Sequence, residues 1–342
     1  MTKAFEESLS LFKDKISDCI KSKKSISITT HIDCDGLTSG SIIAKALIRE
    51  GARCTLRTSK EFSKNLIDSF KTDSRDFHII TDLGGGFGKD LNQTLGDNWI
   101  ILDHHQISEE EKDNQNIINA WKYEIDGGTE ISAGGMAYFA ATALNEKNSD
   151  LSEIAIVSAL GDRQDQGDKK SFTGKNFEIA NTAKELGLVD IDLDLLLVGR
   201  ETRPLAEALA FTSQPFIEGL TWNKETCLSV LNSSGIQLKE EGRWRVPAEL
   251  NEDEKKAVIE SITKFSSDKN TSEIMSELIG YTYTFPKEDK RSFLRDGREY
   301  STMLNSCGRI NRSGVGMAIC MGDRNRILTE GENILTDYRK MI

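Results

Sequence analysis

Short apolar runs alternate with longer amphipathic segments over the first half of the chain. Residues 25–30 (SISITT), 77–81 (FHIIT) and 99–102 (WIIL) are uninterrupted and rich in β-branched side chains, as in strands buried on both faces of a sheet. Residues 37–50 and 133–144 instead carry apolar positions at helical spacing. Strands that alternate with helices predict a parallel, doubly wound α/β sheet.

The remaining elements extend this alternation to the end of the chain. Further strands are predicted at 53–57, 281–285 and 316–321, a charged loop at 286–299, and further helices at 61–71, 151–160, 176–186, 205–211 and 251–265. We predict an N-terminal domain over 1–190, a helical linker over 191–222 and a smaller C-terminal α/β domain over 223–342. A doubly wound sheet binds its ligands at the carboxyl ends of its strands, so residues at those ends are the first candidates for chemistry.

Composition narrows the class of protein. A chain of 342 residues with 37% hydrophobic and 29% charged residues is expected to form globular domains with their own cores. No apolar run reaches the roughly 18 residues of a transmembrane helix, and the amphipathic N-terminus lacks a signal-peptide core, so no membrane partner is expected. Six scattered cysteines without CxxC pairs are typical of free thiols in the cytoplasm. The net charge of −11 argues against non-specific wrapping of nucleic acid but allows a local basic groove.

Acidic residues and three of the four histidines gather where the apolar runs end. The clusters are HIDCDG at 31–36, Asp82 before a glycine run, DHH at 103–105, and Gly-Asp at 161–162. Carboxylates and imidazoles are metal ligands, and a site with several carboxylates favours a pair of divalent ions. The clusters therefore predict one metal-filled crevice and, from its chemistry, phosphoester hydrolysis.

Each cluster alone also has an ordinary structural explanation. Asp33 and Asp35, two residues apart on an extended segment, would point the same way and each hold one ion, or would form a solvated turn that caps the next helix. Asp82 would bridge two ions, or would belong to a flexible glycine loop. His104 would bind metal and His105 would contact a phosphate, or both would simply end a polar strand. No single ordinary explanation covers all four clusters in this order.

The ordered motifs HIDCDG, IITD, ILDHHQ and ALGDRQD resemble those of the DHH phosphoesterases, a superfamily named after its third motif. Within it, TTHIDCDGLTSG, TDLGGG, ISAGGMAYFA and NSCGRINRSGVGMAICMGD are most similar to the archaeal RecJ-like single-strand exonucleases. The resemblance covers residues 25–170 and 280–325. It implies a DHH domain, a C-terminal DHH-associated domain, and an active site in the cleft between them.

The resemblance also implies two divalent ions, with manganese preferred and magnesium as the alternative. Asp82 would bridge the two ions, Asp103 would orient His104, and His105 would face the scissile phosphate. His31 lies two residues before Asp33, whereas many relatives place the first histidine four residues before the first aspartate. Whether His31 binds metal is therefore left open. The implied metal ligands are Asp33 and Asp82, with His31 as the open case, for one ion, and Asp35, Asp82, His104 and Asp162 for the other. The full catalytic set is Asp33, Asp35, Asp82, Asp103, His104, His105 and Asp162.

The C-terminal motif departs from many relatives, which carry GGGH where this chain has SCGR at 306–309. Arg309 would still pair with a phosphate, or would form a surface salt bridge. The implied substrate-binding residues are His105, Arg309, Asn311, Ser313, Gly314 and Gly316. Trp244 with Arg243 and Arg245, or the arginines at 291, 295 and 298, would line a nucleic-acid groove, or the GRWR stretch would be a surface turn.

The acidic clusters and the resemblance to RecJ-like exonucleases together predict a two-metal, single-strand-specific exonuclease. It would act on DNA, with RNA as an alternative substrate, in DNA replication or repair. A phosphatase or phosphodiesterase for pyrophosphate, short oligonucleotides or cyclic dinucleotides is a second hypothesis. A third is a non-catalytic replisome scaffold that accompanies the replicative helicase and its GINS complex. The retained carboxylates argue against the scaffold, because a protein without metal chemistry has no reason to keep several like charges in one crevice.

Overall fold

The chain folds into two units in a computed structural model that describes residues 2–266 and 271–341. Unit 1 comprises Met1–Gln166, Phe172–Gly187 and Ser301–Ile342, and unit 2 comprises Gly167–Ser171 and Leu188–Tyr300. None of the helices in the described ranges is long and apolar enough to cross a bilayer.

The strands are β1 (Ser25–Thr30), β2 (Arg53–Thr58), β3 (Phe77–Thr81), β4 (Trp99–Asp103), β5 (Ile117–Asn119), β6 (Asp190–Leu195), β7 (Lys239–Glu240), β8 (Arg243–Trp244) and β9 (Ile279–Thr284). The α-helices are α1 (Lys3–Lys21), α2 (Cys34–Arg49), α3 (Lys64–Phe70), α4 (Gly88–Leu95), α5 (Ala133–Leu144), α6 (Ser152–Gly161), α7 (Gly174–Glu185), α8 (Leu205–Phe211), α9 (Lys224–Ser233), α10 (Glu252–Phe265), α11 (Thr271–Leu278), α12 (Gly297–Arg309), α13 (Ser313–Met321) and α14 (Arg326–Met341).

Five parallel strands form the sheet of unit 1, in the order β2-β1-β3-β4-β5. Their register pairs Thr30 with Thr81 and Thr81 with Leu102, so β1, β3 and β4 end side by side. All residues of β3 and β4 are buried, as expected for parallel strands covered on both faces. The predicted parallel α/β fold is confirmed, and its three central strands deliver their carboxyl ends to one edge.

Helices α2, α5 and α6 pack together in unit 1. Gly134 lets α5 approach α6, because a Cβ at this position would lie 2.0 Å from the Ser158 hydroxyl oxygen. This close approach brings the first turn of α5 beside residues of α2 and α6, which matters for the carboxylates described below.

In unit 2, β6 pairs antiparallel with β9, and β7 with β8. Helices α8, α9 and α10 contribute Leu209, Leu231 and Val258 to a separate apolar core. This core accounts for the independent compactness of the second unit.

The C-terminal part of the chain differs from the prediction in three respects. Residues 301–342 belong to unit 1, whereas the predicted C-terminal domain was 223–342. The predicted strand at 316–321 is wrong, since these residues are the last six of the nine residues of α13. A six-residue apolar run such as GMAICM does not distinguish a buried strand from a buried helix, because neither face is marked by polar residues. The predicted loop at 286–299 also contains the start of α12.

Candidate metal centre

Asp33 and Asp35 lie at the beginning of α2, where Asp33 has extended backbone and Asp35 belongs to the first helical turn. Asp33 is the residue before the first turn, and its Oδ1 accepts a hydrogen bond from the Gly36 backbone N–H at 3.0 Å. Asp33 Oδ2 lies 2.8 Å from His31 Nδ1, whereas Asp35 Oδ2 lies 3.2 Å from His104 Nε2. The two carboxylates therefore lie against different histidines, Asp33 from the residue before the helix and Asp35 from its first turn.

Asp82 follows β3 directly and is 2% exposed. Its φ of +63° is uncommon for a residue with a side chain, and such conformations are concentrated at functional sites. Asp82 Oδ2 lies 3.7 Å from His31 Nδ1 and Oδ1 lies 3.3 Å from His104 Nε2. One buried carboxylate thus faces both histidines with different oxygens.

His104 is buried and has its two ring nitrogens in different surroundings. Nδ1 lies 2.6 Å from the backbone carbonyl oxygen of Gly127, which can only accept a hydrogen bond. Nδ1 therefore carries a proton, and Nε2 is the nitrogen presented to Asp35 and Asp82. Gly127 has no space for a side chain, because a Cβ there would lie 1.8 Å from the His104 carbonyl oxygen.

Asp103 organises the DHH segment through its own neighbours. Its buried Oδ1 accepts from the His104 backbone N–H at 2.8 Å and lies 2.8 Å from His105 Nδ1. Its Oδ2 accepts from the Gly85 N–H at 3.3 Å, which ties the glycine loop to the same carboxylate. The Asp103 side chain thus orients the imidazole of His105, while Gly127 orients the imidazole of His104. The His105 side chain remains 62% exposed.

Asp35 is held at the N-terminus of α5. Its two oxygens accept backbone N–H groups of Ala133 at 2.8 Å and Gly134 at 2.9 Å, and the Ser158 hydroxyl donates to Oδ1. Burial acts to raise the pKa of Asp35, but hydrogen bonds from His104 and Ser158 lower it below its usual value. The positive end of the helix further favours the ionised form.

Asp82 and Asp162 differ from Asp35 in the direction of their pKa shifts. Burial raises the pKa of Asp82 well above its usual range, and the nearby charge of Asp35 adds to this. Burial and the same Asp35 charge raise the pKa of Asp162 to about 6. Burial acts to lower the pKa of His104, but hydrogen bonds to Asp35 and Asp82 raise it well above the usual value. The centre thus concentrates negative charge around one imidazole.

The donor atoms fit divalent cations. They form three groups, each with its ligand atoms within 4.8 Å of one another: His31, Asp33 and Asp82; Asp35, His104 and Asp162; and Asp82, Asp103, His104 and His105. Over the residues that the structure describes, no lysine or arginine forms an ion pair with these carboxylates. Buried carboxylates need a compensating charge, and oxygen with imidazole is a ligand mix suited to manganese or magnesium.

The substrate-binding candidates of the C-terminal segment occupy varied environments. Arg309 is exposed, and its Nη1 donates to the Tyr338 hydroxyl. Asn311 lies in a turn with φ of +61°, and Ser313 is buried in the first turn of α13. Gly314 has open space at its Cβ position, whereas a Cβ at Gly316 would lie 2.9 Å from Leu37 Cδ1. Gly316 therefore serves the packing of α13 on α2.

Two residues of α12 that are not among the predicted site residues contact the first motif. The Asn305 side-chain oxygen accepts from the Cys34 N–H at 2.9 Å. At Gly308, a Cβ would lie 1.9 Å from the Ile32 carbonyl oxygen. Both residues fall inside the NSCGR motif, so the resemblance contained the signal, but only the fold shows which atoms they support.

The arginines proposed to line a nucleic-acid groove have partners within unit 2. Arg245 binds Glu254, and Arg291 binds Glu249 through two nitrogens at 2.9 and 2.7 Å. The Lys239 ammonium lies 4.2 Å from the ring centroid of Trp244. These contacts favour the surface-turn interpretation of GRWR.

Arg295 and Arg298 also have intramolecular partners. Arg295 Nη1 donates to the Pro286 and Glu288 carbonyl oxygens, and Arg298 Nη1 donates to the Tyr281 carbonyl oxygen at 3.0 Å. These guanidinium groups are therefore engaged in holding the turn and strand around them.

Two family models match this chain. The DHH family, N-terminal domain, matches residues 25–161, and the DHH-CID domain matches residues 197–279. Uncharacterized protein MJ0831 of Methanocaldococcus jannaschii is 29% identical over 341 residues, which cover 96% of this chain and 72% of that protein. The chain therefore belongs to the DHH superfamily and has a RecJ-like α/β fold. This membership supports a phosphoesterase.

Two solved structures share the fold at low sequence identity. CDC45 from Entamoeba histolytica aligns with a TM-score of 0.68 and 15% identity, covering 99% of this chain and 72% of that chain. The exonuclease RecJ bound to manganese aligns with a TM-score of 0.53 and 12% identity, covering 99% of this chain. The chain spans 65% of that RecJ chain, which is under two thirds of its length.

Proposed function

We propose that this protein hydrolyses phosphodiester bonds with two divalent cations, manganese preferred and magnesium as the alternative. The position of Asp82 carries the proposal, since its two oxygens face His31 and His104 in two different ligand groups. A bridging carboxylate requires this arrangement. The exonuclease RecJ, whose fold the chain shares, has been solved with manganese, which supports the choice of metal.

When bound, the cations would polarise the phosphoryl group and lower the pKa of an attacking water. The His31–Asp33–Asp82 group and the Asp35–His104–Asp162 group would each hold one of them. Asp82 would also serve the second group, since its Oδ1 lies 3.3 Å from His104 Nε2. Asp103 and the Gly127 carbonyl fix the imidazoles of His105 and His104, so neither ring has to reorganise during the reaction.

His105 is placed for a proton transfer. Its Nδ1 faces the buried Asp103 at 2.8 Å, and its side chain is largely exposed beside the ligand groups. Nε2 is thereby directed away from Asp103, and it would donate a hydrogen bond to a phosphate oxygen or a proton to the leaving oxygen.

We propose a single strand of DNA, with RNA as the alternative, as the substrate, degraded from an end during replication or repair. The similarity to RecJ and the RecJ-like motifs support this choice. Arg309, Asn311, Ser313 and Gly314 are the proposed contacts to the strand. Gly316 contributes indirectly, because it packs α13 on α2.

A scaffold in the replisome, associated with GINS and the replicative helicase, is the second candidate. The similarity in fold to a CDC45 structure favours it. The buried, unneutralised carboxylates favour hydrolysis instead. A phosphatase for small substrates such as pyrophosphate or a cyclic dinucleotide would use the same centre, so only substrate tests separate it from the exonuclease.

In the deciding experiment, the purified protein is incubated with manganese and with single strands of DNA or RNA labelled at either end. Pyrophosphate and a cyclic dinucleotide are tested in parallel. Mononucleotides released progressively from one labelled end are the expected result. Turnover of only the small substrates would replace the exonuclease with the phosphatase. Absence of turnover for every substrate, in protein that binds manganese, would leave the scaffold.

A further inference from the structure

The Gln164 side chain lies just after α6, is completely buried, and contacts the metal centre at two places. Its Nε2 donates to Asp162 Oδ2 at 2.7 Å and to the Gly127 carbonyl oxygen at 2.9 Å. A third acceptor, the Ile131 carbonyl oxygen, lies at 3.2 Å. The Gly127 oxygen is the same atom that fixes Nδ1 of His104.

The chemistry of these neighbours fixes the orientation of the amide. All three groups around Nε2 can only accept hydrogen bonds when Asp162 is ionised, so the NH₂ side of the amide must face them. On the opposite side, Oε1 accepts from Asn176 Nδ2 at 2.6 Å. A reversed amide would place an oxygen against three acceptors, which would cost several hydrogen bonds at once in a buried position.

We propose that Gln164 is a positioning residue that holds Asp162 directly, and His104 through Gly127, as ligands of one of the two cations. This inference rests on the proposed function. The cation concerned is the one bound by the Asp35–His104–Asp162 group. Among the described contacts of Gln164, none reaches His31, Asp33 or Asp82, so the other group does not depend on it.

Because only one of the two cation sites depends on Gln164, a variant at this position should change the manganese affinity of one site and not of the other. Partners that orient metal ligands typically contribute about 10–100-fold to metal affinity. Gln164→Met keeps the length of the side chain and removes both donors, so it should weaken manganese binding at one site by about 10–100-fold. The second site should keep its wild-type affinity. A general loss of packing would lower stability without this selectivity.

The test measures manganese binding to the full chain by calorimetry and by electron paramagnetic resonance, which also reports coupling between neighbouring ions. Asn148→Leu is the matched control. Asn148 is a buried amide of unit 1 that donates to the Ala141 carbonyl at 2.9 Å and accepts from Arg49. The Asn148→Leu variant should lose stability as Gln164→Met does, and it should bind manganese at both sites with wild-type affinity.

Activity adds an independent reading. Hydrolysis by Gln164→Met should fall at limiting manganese and recover when manganese is raised about 100-fold, because the ligand atoms are still present. A loss of hydrolysis that persists at saturating manganese, together with wild-type manganese affinity at both sites, would overturn the positioning role. If Gln164→Met does not fold, Asn176→Leu removes only the donor to Oε1 and should weaken the same site by about 2–10-fold.

Failure of the proposed function looks different. Wild-type protein that binds no manganese pair, or that binds it and hydrolyses nothing, would contradict the hydrolase. Wild-type protein that binds two ions and is active, with Gln164→Met binding both ions like wild type, would contradict only the inference about Gln164.

Discussion

Buried carboxylates occur in both units, but their partners differ. In unit 2, Asp194 lies 2.7 Å from Arg200 Nη2 and 2.9 Å from Lys255 Nζ. In unit 1, Asp35 and Asp82 lie against His104, and the ion pairs described for that unit bring no lysine or arginine to them. Both arrangements remove carboxylates from water, and only the first supplies permanent positive charge.

The difference separates a structural role from a chemical one. A carboxylate paired with arginine in a fixed geometry is already compensated and has no capacity left for a cation. A carboxylate compensated only by an imidazole exchanges that partner for a metal ion, because neutral imidazole is itself a ligand. Identical residue types therefore support the fold in unit 2 and form the candidate centre in unit 1.

The largest expected effect follows from removing the shared carboxylate. Asp82→Ala should abolish hydrolysis, with a loss of at least about 10³-fold, beyond the loss typical of a single hydrogen-bond donor. Asp103→Ala should act similarly, because His105 loses its partner and the glycine loop its anchor. Both variants should stay folded, as checked by circular dichroism in the presence of a chelator. Unchanged activity in either would refute the centre.

The second prediction concerns the paired carboxylate of unit 2. Asp194→Asn removes the buried carboxylate that Arg200 and Lys255 share and leaves them with Glu201 and Glu252 as charge partners. It should lower the free energy of unfolding by about 3 kcal/mol, as for other buried pairs broken on one side. Hydrogen exchange of β6 and β9 measures this loss locally. Phosphodiester hydrolysis by the folded protein should be unchanged. Asp82→Asn is the matched comparison: with a chelator present it should unfold no more easily than wild type, since it removes repulsion from Asp35.

Metal binding should stabilise the two units unequally. Manganese at 100 times its dissociation constant stabilises the state that binds it by about 2.7 kcal/mol per site. The gain should appear as slower hydrogen exchange in β3, β4 and the first turn of α2, and a chelator should reverse it. Equal protection of β6 and β9 would contradict the assignment of the cations to unit 1 alone.

The smallest effect is a pH dependence in unit 2. A hydrogen bond from Arg291 lowers the pKa of Glu249 to about 2. A depressed carboxyl pKa stabilises the folded state above the unfolded pKa, near 4.5, and the contribution disappears as the pH falls from about 4.5 towards about 2. Glu249→Gln should lower the free energy of unfolding by about 1 kcal/mol or less at pH 7, because the Arg291–Glu249 pair is partly exposed. The variant should also lose less stability than wild type between about pH 4.5 and about pH 2. An equal loss of stability in that range would show that Glu249 is not its source.

The sequence predicted the sheet because buried parallel strands leave a strong local mark. The runs FHIIT and WIIL are strands β3 and β4, and the residue after or at the end of each belongs to the centre. The C-terminal segment gave a weaker signal, since GMAICM is apolar throughout and suits either element. The prediction of a strand there failed for that reason.

By itself, the sequence determined the α/β class and the superfamily, and it indicated Asp33, Asp35, Asp82, His104 and Asp162 as candidate metal ligands, because motif order and strand ends are properties of the chain. Only the tertiary structure decided which ligands share a group, that Gly127 fixes His104, and that Gln164 joins Asp162 to the same carbonyl. These contacts join residues far apart along the chain, and their distances depend on how closely the helices and loops pack. No local pattern records that packing.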